Sequence, residues 1–282
     1  MSEIGVRSSP EETHGLKVAF EVPVTVTSLW DLRRAPDIAA RGLYNRSACY
    51  LGGRSMRFIL EERPSDSPFV ETIWRTQSER TGTFISQAAS HWEMVVTRHD
   101  GQTTFTVRGP ETKATPIDCQ WTDAEFFGIV FRLGTFMPHL PPGKVIDRRD
   151  ANLPEATSQS FWLHGSAWQF PDYENAETFV DRLVREGLLV RDEIVDAVLQ
   201  CHPQELSLRS VQYRFLRATG LTHSALQQIE RARQAAALLE QGLSILDVVC
   251  EAGYFDQPHL TRSLKRFIGQ TPAQIACGSQ PE

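Results

Sequence analysis

The final third of the chain is punctuated so regularly that little other than a run of short helices can be built from it. Ser207 precedes apolar residues at i, i+3, i+7 and i+10 (Leu208, Val211, Phe215, Ala218), and Gly220 follows them. A serine oxygen can take up one of the unpaired N–H groups at a helix start, and glycine tolerates the left-handed conformation that ends one. Thr222 opens a longer stripe through Leu226, Ile229, Ala232, Ala236 and Leu239 that stops at Gly242. Ser244 with Asp247 has the spacing of a capping box ahead of Ile245, Val248, Val249 and Ala252, with Gly253 behind them. Asp256 caps the next stripe, Leu260, Leu264 and Phe267, which ends at Gly269, and Thr271 with Pro272 at the first helical position starts a last short helix.

Two of these helices are joined by only Gly253, Tyr254 and Phe255, the turn length of a helix-turn-helix. If Leu260, Leu264 and Phe267 are buried, Gln257, Pro258, Thr261, Arg262 and Lys265 face outward. Arginine suits guanine O6 and N7, and glutamine suits adenine N6 and N7. The helix after Ser207 offers Arg209, Gln212 and Tyr213 in the same way, with Arg214 and Arg217 as phosphate contacts. Each face taken singly also fits the solvated side of an ordinary amphipathic helix.

The stretch Gly253-Tyr-Phe-Asp-Gln-Pro-His-Leu-Thr-Arg-Ser-Leu-Lys-Arg-Phe-Ile-Gly-Gln-Thr-Pro272 resembles the signature of AraC/XylS-type transcriptional regulators, and Ser207 to Gly220 is similar to that family's first recognition helix. The resemblance runs from about Asn175 to Ala276 and implies seven helices: Asn175–Glu186, Arg191–Gln200, Leu208–Thr219, His223–Gln241, Ile245–Ala252, Gln257–Ile268 and Pro272–Ala276. It implies that the long fourth helix is a rigid strut of about 30 Å between two recognition helices, close to one turn of DNA. Base contacts then fall to Arg209, Gln212 and Tyr213 in the first unit and to Gln257, Thr261 and Arg262 in the second, with Lys265 and Arg266 also on the DNA-binding surface. Three positions depart from the family pattern. Pro203-Gln-Glu205 stands where a glycine turn is common, Tyr213 where a basic residue is frequent, and Leu264 where phenylalanine is common. The implied partner is operator or promoter DNA. A small-molecule effector, a second copy of the chain in a homodimer and, for an activator, RNA polymerase come with the resemblance.

Net charge of −6 runs against DNA binding until its distribution is considered. Between Ser207 and Cys277 there are eight Arg and Lys against five Asp and Glu, so the acidic excess lies in the preceding residues. The β-like runs Arg57 to Leu60, Phe69 to Arg75, Thr83 to Ser86, Trp92 to Arg98, Thr103 to Val107 and Phe126 to Phe131 alternate with turn signals such as His99-Asp-Gly-Gln102. The expectation is an α+β chain: a loosely packed extension over 1–55, a β-rich sensor or dimerisation domain over 56–137, a linker over 138–173, and the all-α DNA-binding domain over 174–277. Met56 directly precedes the first convincing strand, so a native start there is one reading of the extension; an ordered arm packing through Val18, Phe20, Val22, Leu29 and Trp30 is the other.

Rival chemistries find little support. GxSxG, P-loop and dinucleotide fingerprints are absent, no cofactor is implied, and Cys49 and Cys119 lack the setting of a DNA-repair alkyltransferase nucleophile. His91, His99 and His139 lack metal-ligand spacing. The five cysteines are far apart, and with no secretory signal or membrane span the chain reads as cytoplasmic with free thiols. The aromatic cluster Phe161, Trp162, Trp168, Phe170 and Tyr173 fits either a small apolar ligand pocket or, more often, interface core. The reading is a regulator and not an enzyme; a fusion to a catalytic domain and a non-specific nucleoid-binding protein are the alternatives.

Overall fold

The computed structural model describes residues 58–78, 81–147, 149–202 and 205–278. All lie in one compact unit. The expectations for 1–55, for a start at Met56, for Cys49 and for Pro203-Gln204 fall outside the described residues.

The chain is α+β. Its largest sheet contains β1 (Phe58–Pro64), β2 (Val70–Ser78), β7 (Glu125–Phe131), β4 (Glu93–His99), β5 (Gln102–Arg108) and β9 (Ala151–Leu153), in that spatial order and antiparallel throughout. Its tightest corner is the β4–β5 hairpin, where His99 pairs with Gln102 and the two residues between them, Asp100 and Gly101, have φ of 50° and 74°. Positive φ at both central positions gives a turn whose twist matches the strands, the reason Asp-Gly is favoured there. A second pair, β3 (Gly82–Ser86) and β6 (Thr115–Cys119), stands apart from the main sheet. β10 (Glu155–Thr157), β11 (Ser160–Leu163) and β12 (Ser166–Gln169) form a third sheet, and β8 (Thr135–Phe136) pairs with β13 (Val190–Arg191).

Two expectations differ from this arrangement. The stretch 138–173, expected as a linker, carries β9 to β12, and Phe161, Leu163 and Trp168 from it join Met94, Val96, Phe105, Ile129 and Phe131 in one buried cluster. Helix α1 (Ala176–Arg185), expected to open the DNA-binding domain, puts Ala176, Phe179, Val180 and Leu183 into the same cluster. Strands of three or four residues are too short for alternation to be read, and burying the apolar side of α1 against the sheet removes it from the helical half. The aromatic cluster is thereby filled core: Phe161 and Trp168 are fully buried, Phe170 and Tyr173 pack beside them, and Trp162 is exposed.

The remaining helices are α2 (Glu193–Leu199), α3 (Leu208–Thr219), α4 (His223–Glu240), α5 (Ile245–Glu251), α6 (Gln257–Phe267) and α7 (Pro272–Gly278). All seven expected helices are present, each end within two residues of its expected position. Every expected N-cap bonds back to its helix: Ser207 to the Ser210 N–H, Thr222 to Ala225, Ser244 to Asp247, Asp256 to His259 and Thr271 to Gln274. Thr271 and Gln274 form a reciprocal box, because the Gln274 side chain accepts from the Thr271 N–H at 2.8 Å. In the Ser244 box the Asp247 carboxylate instead accepts from the Ser244 hydroxyl at 2.6 Å.

Candidate nucleic-acid interface

Helices α3 and α6 are two copies of one pattern, offset by 49 residues. The N-caps are Ser207 and Asp256, and the terminal glycines, Gly220 and Gly269, both have positive φ, 74° and 84°. Between them Phe215 and Leu264, and Ala218 and Phe267, are buried at matching positions. The outward positions therefore match as well: Arg209 with Pro258, Gln212 with Thr261, Tyr213 with Arg262, and Leu216 with Lys265. The copies differ ahead of the helix. Eight residues separate α2 from α3 and five separate α5 from α6. In the shorter turn Gly253 has φ 66°, Tyr254 is buried and Phe255 is 90% exposed. In the longer one Cys201, at φ 57°, takes the left-handed conformation.

Tyr254 anchors the second turn. Its hydroxyl meets Ser263 Oγ at 2.9 Å and the Arg231 guanidinium lies 4.8 Å from its ring centroid, while burial pushes the phenol above its ordinary value. On α6, Gln257, Pro258, Arg262, Lys265 and Arg266 are exposed, and Thr261 is half-buried with its hydroxyl donating to the Gln257 carbonyl at 2.9 Å. On α3, Arg209, Gln212, Tyr213, Arg214 and Arg217 are all exposed. Two of these five are engaged within the molecule. Arg214 makes a forked pair with Asp192, the N-cap of α2, through Nε at 2.9 Å and Nη2 at 2.6 Å, which raises its affinity for the proton further. The Arg217 guanidinium lies 5.3 Å from the Phe136 ring centroid. Leu208, expected in the buried stripe of α3, is 73% exposed, because at the first helical position it overhangs the core that Phe215 and Ala218 fill.

The β-rich part holds both units directly. Phe136 of β8 is buried with Ile194, Val195, Phe215, Ala218 and Leu226, so a strand residue completes the core under α3. At the far end of α6 the carbonyls of Phe267 and Arg266 accept from the Ala88 and Ala114 N–H groups, both at 2.7 Å. Those two carbonyls are among the four that a helix end leaves without an intrahelical donor. Along α4, Glu230 accepts from the Ser90 hydroxyl, and His91 sits beside Ser90 and Glu71. Neither the closure of the α3 core by Phe136 nor the capping of α6 by Ala88 and Ala114 is legible in the sequence. Leu216 was also missed as an outward residue, although the 49-residue offset that aligns it with Lys265 is a signal present in the sequence.

No group of three or more His, Cys, Asp or Glu side chains suited to a metal ion occurs among the described residues, and no described helix is long and apolar enough to cross a membrane. His139 stacks on His164 at 4.7 Å.

The chain matches the helix-turn-helix domain family over residues 204–276. It is 35% identical over 75 residues to the HTH-type transcriptional regulator RipA of Corynebacterium glutamicum, covering 27% of this chain and 23% of that protein. It is 34% identical over 94 residues to the HTH-type transcriptional regulator VirS of Mycobacterium tuberculosis, covering 33% of this chain and 26% of that protein. The similarity thus spans about a quarter of the length of these relatives. No solved structure matches the chain. The repeated helix-turn-helix frame, the cap pattern and the matched residues together make the C-terminal region an AraC-type helix-turn-helix domain, and over that region the chain is similar to HTH-type transcriptional regulators.

Proposed function

We propose that this protein is a sequence-specific DNA-binding transcription regulator of the AraC/XylS type. The observation that carries the reading is the pair of exposed, hydrogen-bonding helix faces on α3 and α6, set in one repeated frame and joined by the 18-residue α4. At 1.5 Å per residue that helix spans about 27 Å, near the roughly 34 Å repeat of successive major-groove segments on one side of a duplex. Arg209, Gln212 and Tyr213 read bases in one segment, and Gln257, Thr261 and Arg262 in the next. Lys265 and Arg266 supply phosphate contacts, as do Arg217 from its place beside Phe136 and, more weakly because Asp192 already pairs its charge, Arg214, both held away from the base edges. The β-rich part serves as the effector-responsive and dimerising element. Its support is mechanical: residues of that part close the core under α3 and cap α6, so a ligand or partner that shifts them shifts both faces. The DNA partner is an operator or promoter, with RNA polymerase as a further partner where transcription is activated.

A genome-wide binding map of the full chain at native expression, paired with transcript levels with and without it, tests this. Discrete sites upstream of genes whose expression changes are expected. Uniform occupancy, with a steep salt dependence and no preferred sequence, would make it a non-specific nucleoid binder instead.

A further inference from the structure

The two faces are alike in frame and unlike in chemistry. At the two matched positions where α6 presents Arg262 and Lys265, α3 presents Tyr213 and Leu216, which are 65% and 47% exposed. The cations that α3 does carry are mostly committed elsewhere: Arg214 is forked onto Asp192, and Arg217 lies over Phe136. That leaves Arg209 and Gln212 as the polar members of an otherwise apolar-bodied face. Resting on the DNA-reading function above, we propose that the two units take chemically different half-sites, α3 reading its major-groove segment through thymine methyl groups and α6 reading its segment through guanine edges.

The major groove presents one apolar group, the C5-methyl of thymine, and its best cation acceptors are guanine O6 and N7. A leucine side chain and a tyrosine ring lose no hydrogen bond when they cover a methyl, and both leave water on doing so. Against guanine the leucine side chain and the face of the tyrosine ring would cover O6 and N7 without bonding them, leaving acceptors unmet wherever Arg209 or Gln212 does not reach. Arg262 and Lys265 reverse the preference, since a charged donor set on a methyl is desolvated with nothing to bond. The frame supplies the comparison: the cap positions and the buried positions match, so the discrimination lies in the outward side chains, and the exchange of a cation for an apolar body falls at 213/262 and 216/265.

The test uses the full chain and a duplex selected by it from a random pool. The half whose base preference is relaxed by Arg262→Ala is assigned to α6, and the other to α3. Uracil is then placed for thymine in one half at a time, which deletes only methyl groups, and 7-deazaguanine is placed for guanine, which deletes only N7. Uracil in the α3 half should weaken binding about fourfold per contacted methyl, the factor that corresponds to about 0.8 kcal/mol for one buried methyl-sized group. Uracil in the α6 half should change it less than about twofold, and 7-deazaguanine there should weaken it about tenfold or more, as the loss of one charge-assisted arm of a bidentate contact requires while O6 keeps the other. Leu216→Ala and Tyr213→Ser, both exposed positions that leave the core intact, should each shrink the thymine-to-uracil difference in the α3 half and leave the α6 half unchanged. An α3 half without thymine, or one indifferent to uracil, overturns the inference while the DNA-reading function stands. Failure to select any preferred duplex overturns both.

Discussion

Phe136→Ala probes the dependence of the first unit on a residue that its own sequence does not supply. Phe136 is 4% exposed and packs on Ile194 and Val195 of α2, Phe215 and Ala218 of α3 and Leu226 of α4. Truncating a buried phenylalanine removes its transfer free energy and leaves a cavity that the surroundings fill only in part, together about 3 to 5 kcal/mol. The Arg217 guanidinium, 5.3 Å from the ring centroid, loses its aromatic partner as well, a smaller effect at this exposed position. For a unit of this size about 1 kcal/mol corresponds to roughly 2 to 4 °C, so the melting temperature should fall by roughly 6 to 20 °C. Calorimetry is the suitable assay, because α2 and α3 can melt ahead of the sheet and split the transition. Below the transition, affinity for a selected duplex should still drop, as α3 is held less firmly; Phe136→Leu should recover most of both losses. A melting temperature within about 2 °C of wild type would show that Phe136 does not support the α3 core and would refute the reasoning.

Arg262→Ala should cost about 1 to 3 kcal/mol of binding and relax preference at one base pair, with the melt unchanged; competition binding against a set of single-base variants of the selected duplex reads this directly. Gly253→Val should destabilise by about 1 kcal/mol or more through backbone strain, since φ is 66° and, among the described residues, nothing beyond its chain neighbours lies within 4 Å of the added Cβ. Gly269→Ala should cost more, because at φ 84° its Cβ would also come within 2.8 Å of Ile85; chemical denaturation ranks the two. Burial holds His91 below the ordinary histidine value, outweighing Glu71 and Glu230, while Arg233 and Arg132 add to the lowering. A histidine whose folded value is depressed leaves stability unaffected above about pH 6.5 and costs stability as pH falls below that, where only the unfolded chain takes up the proton. His91→Gln should therefore flatten the acid limb of stability against pH between about 6.5 and 5, and an unchanged limb would show that His91 is not its source.

The helical half was legible because its signals are local. A cap, its stripe and its terminal glycine lie within one helix, as Ser207, Phe215 and Gly220 do, and a hydrogen bond to an N-cap oxygen needs no distant partner. The Asp100-Gly101 turn was readable for the same reason. The outward faces of α6 and most of α3 followed from the stripe once Phe215 and Leu264 were taken as buried. Leu208 broke that inference: its spacing is right, but burial at a helix end depends on whether another element covers it, and among the described residues none does.

Residues 207–276 thus determined by themselves the helices, their caps and the two candidate reading faces, since these rest on periodicity and on hydrogen bonds made within a few residues. Tertiary structure alone decided which half of the chain owns α1 and the 138–173 strands, that Phe136 completes the α3 core, that Arg214 and Arg217 are held by Asp192 and Phe136, and that the α6 carbonyls end on Ala88 and Ala114. Each of those is a contact between residues separated by tens of positions or more, and burial against a distant partner leaves no periodic mark on the chain that supplies it.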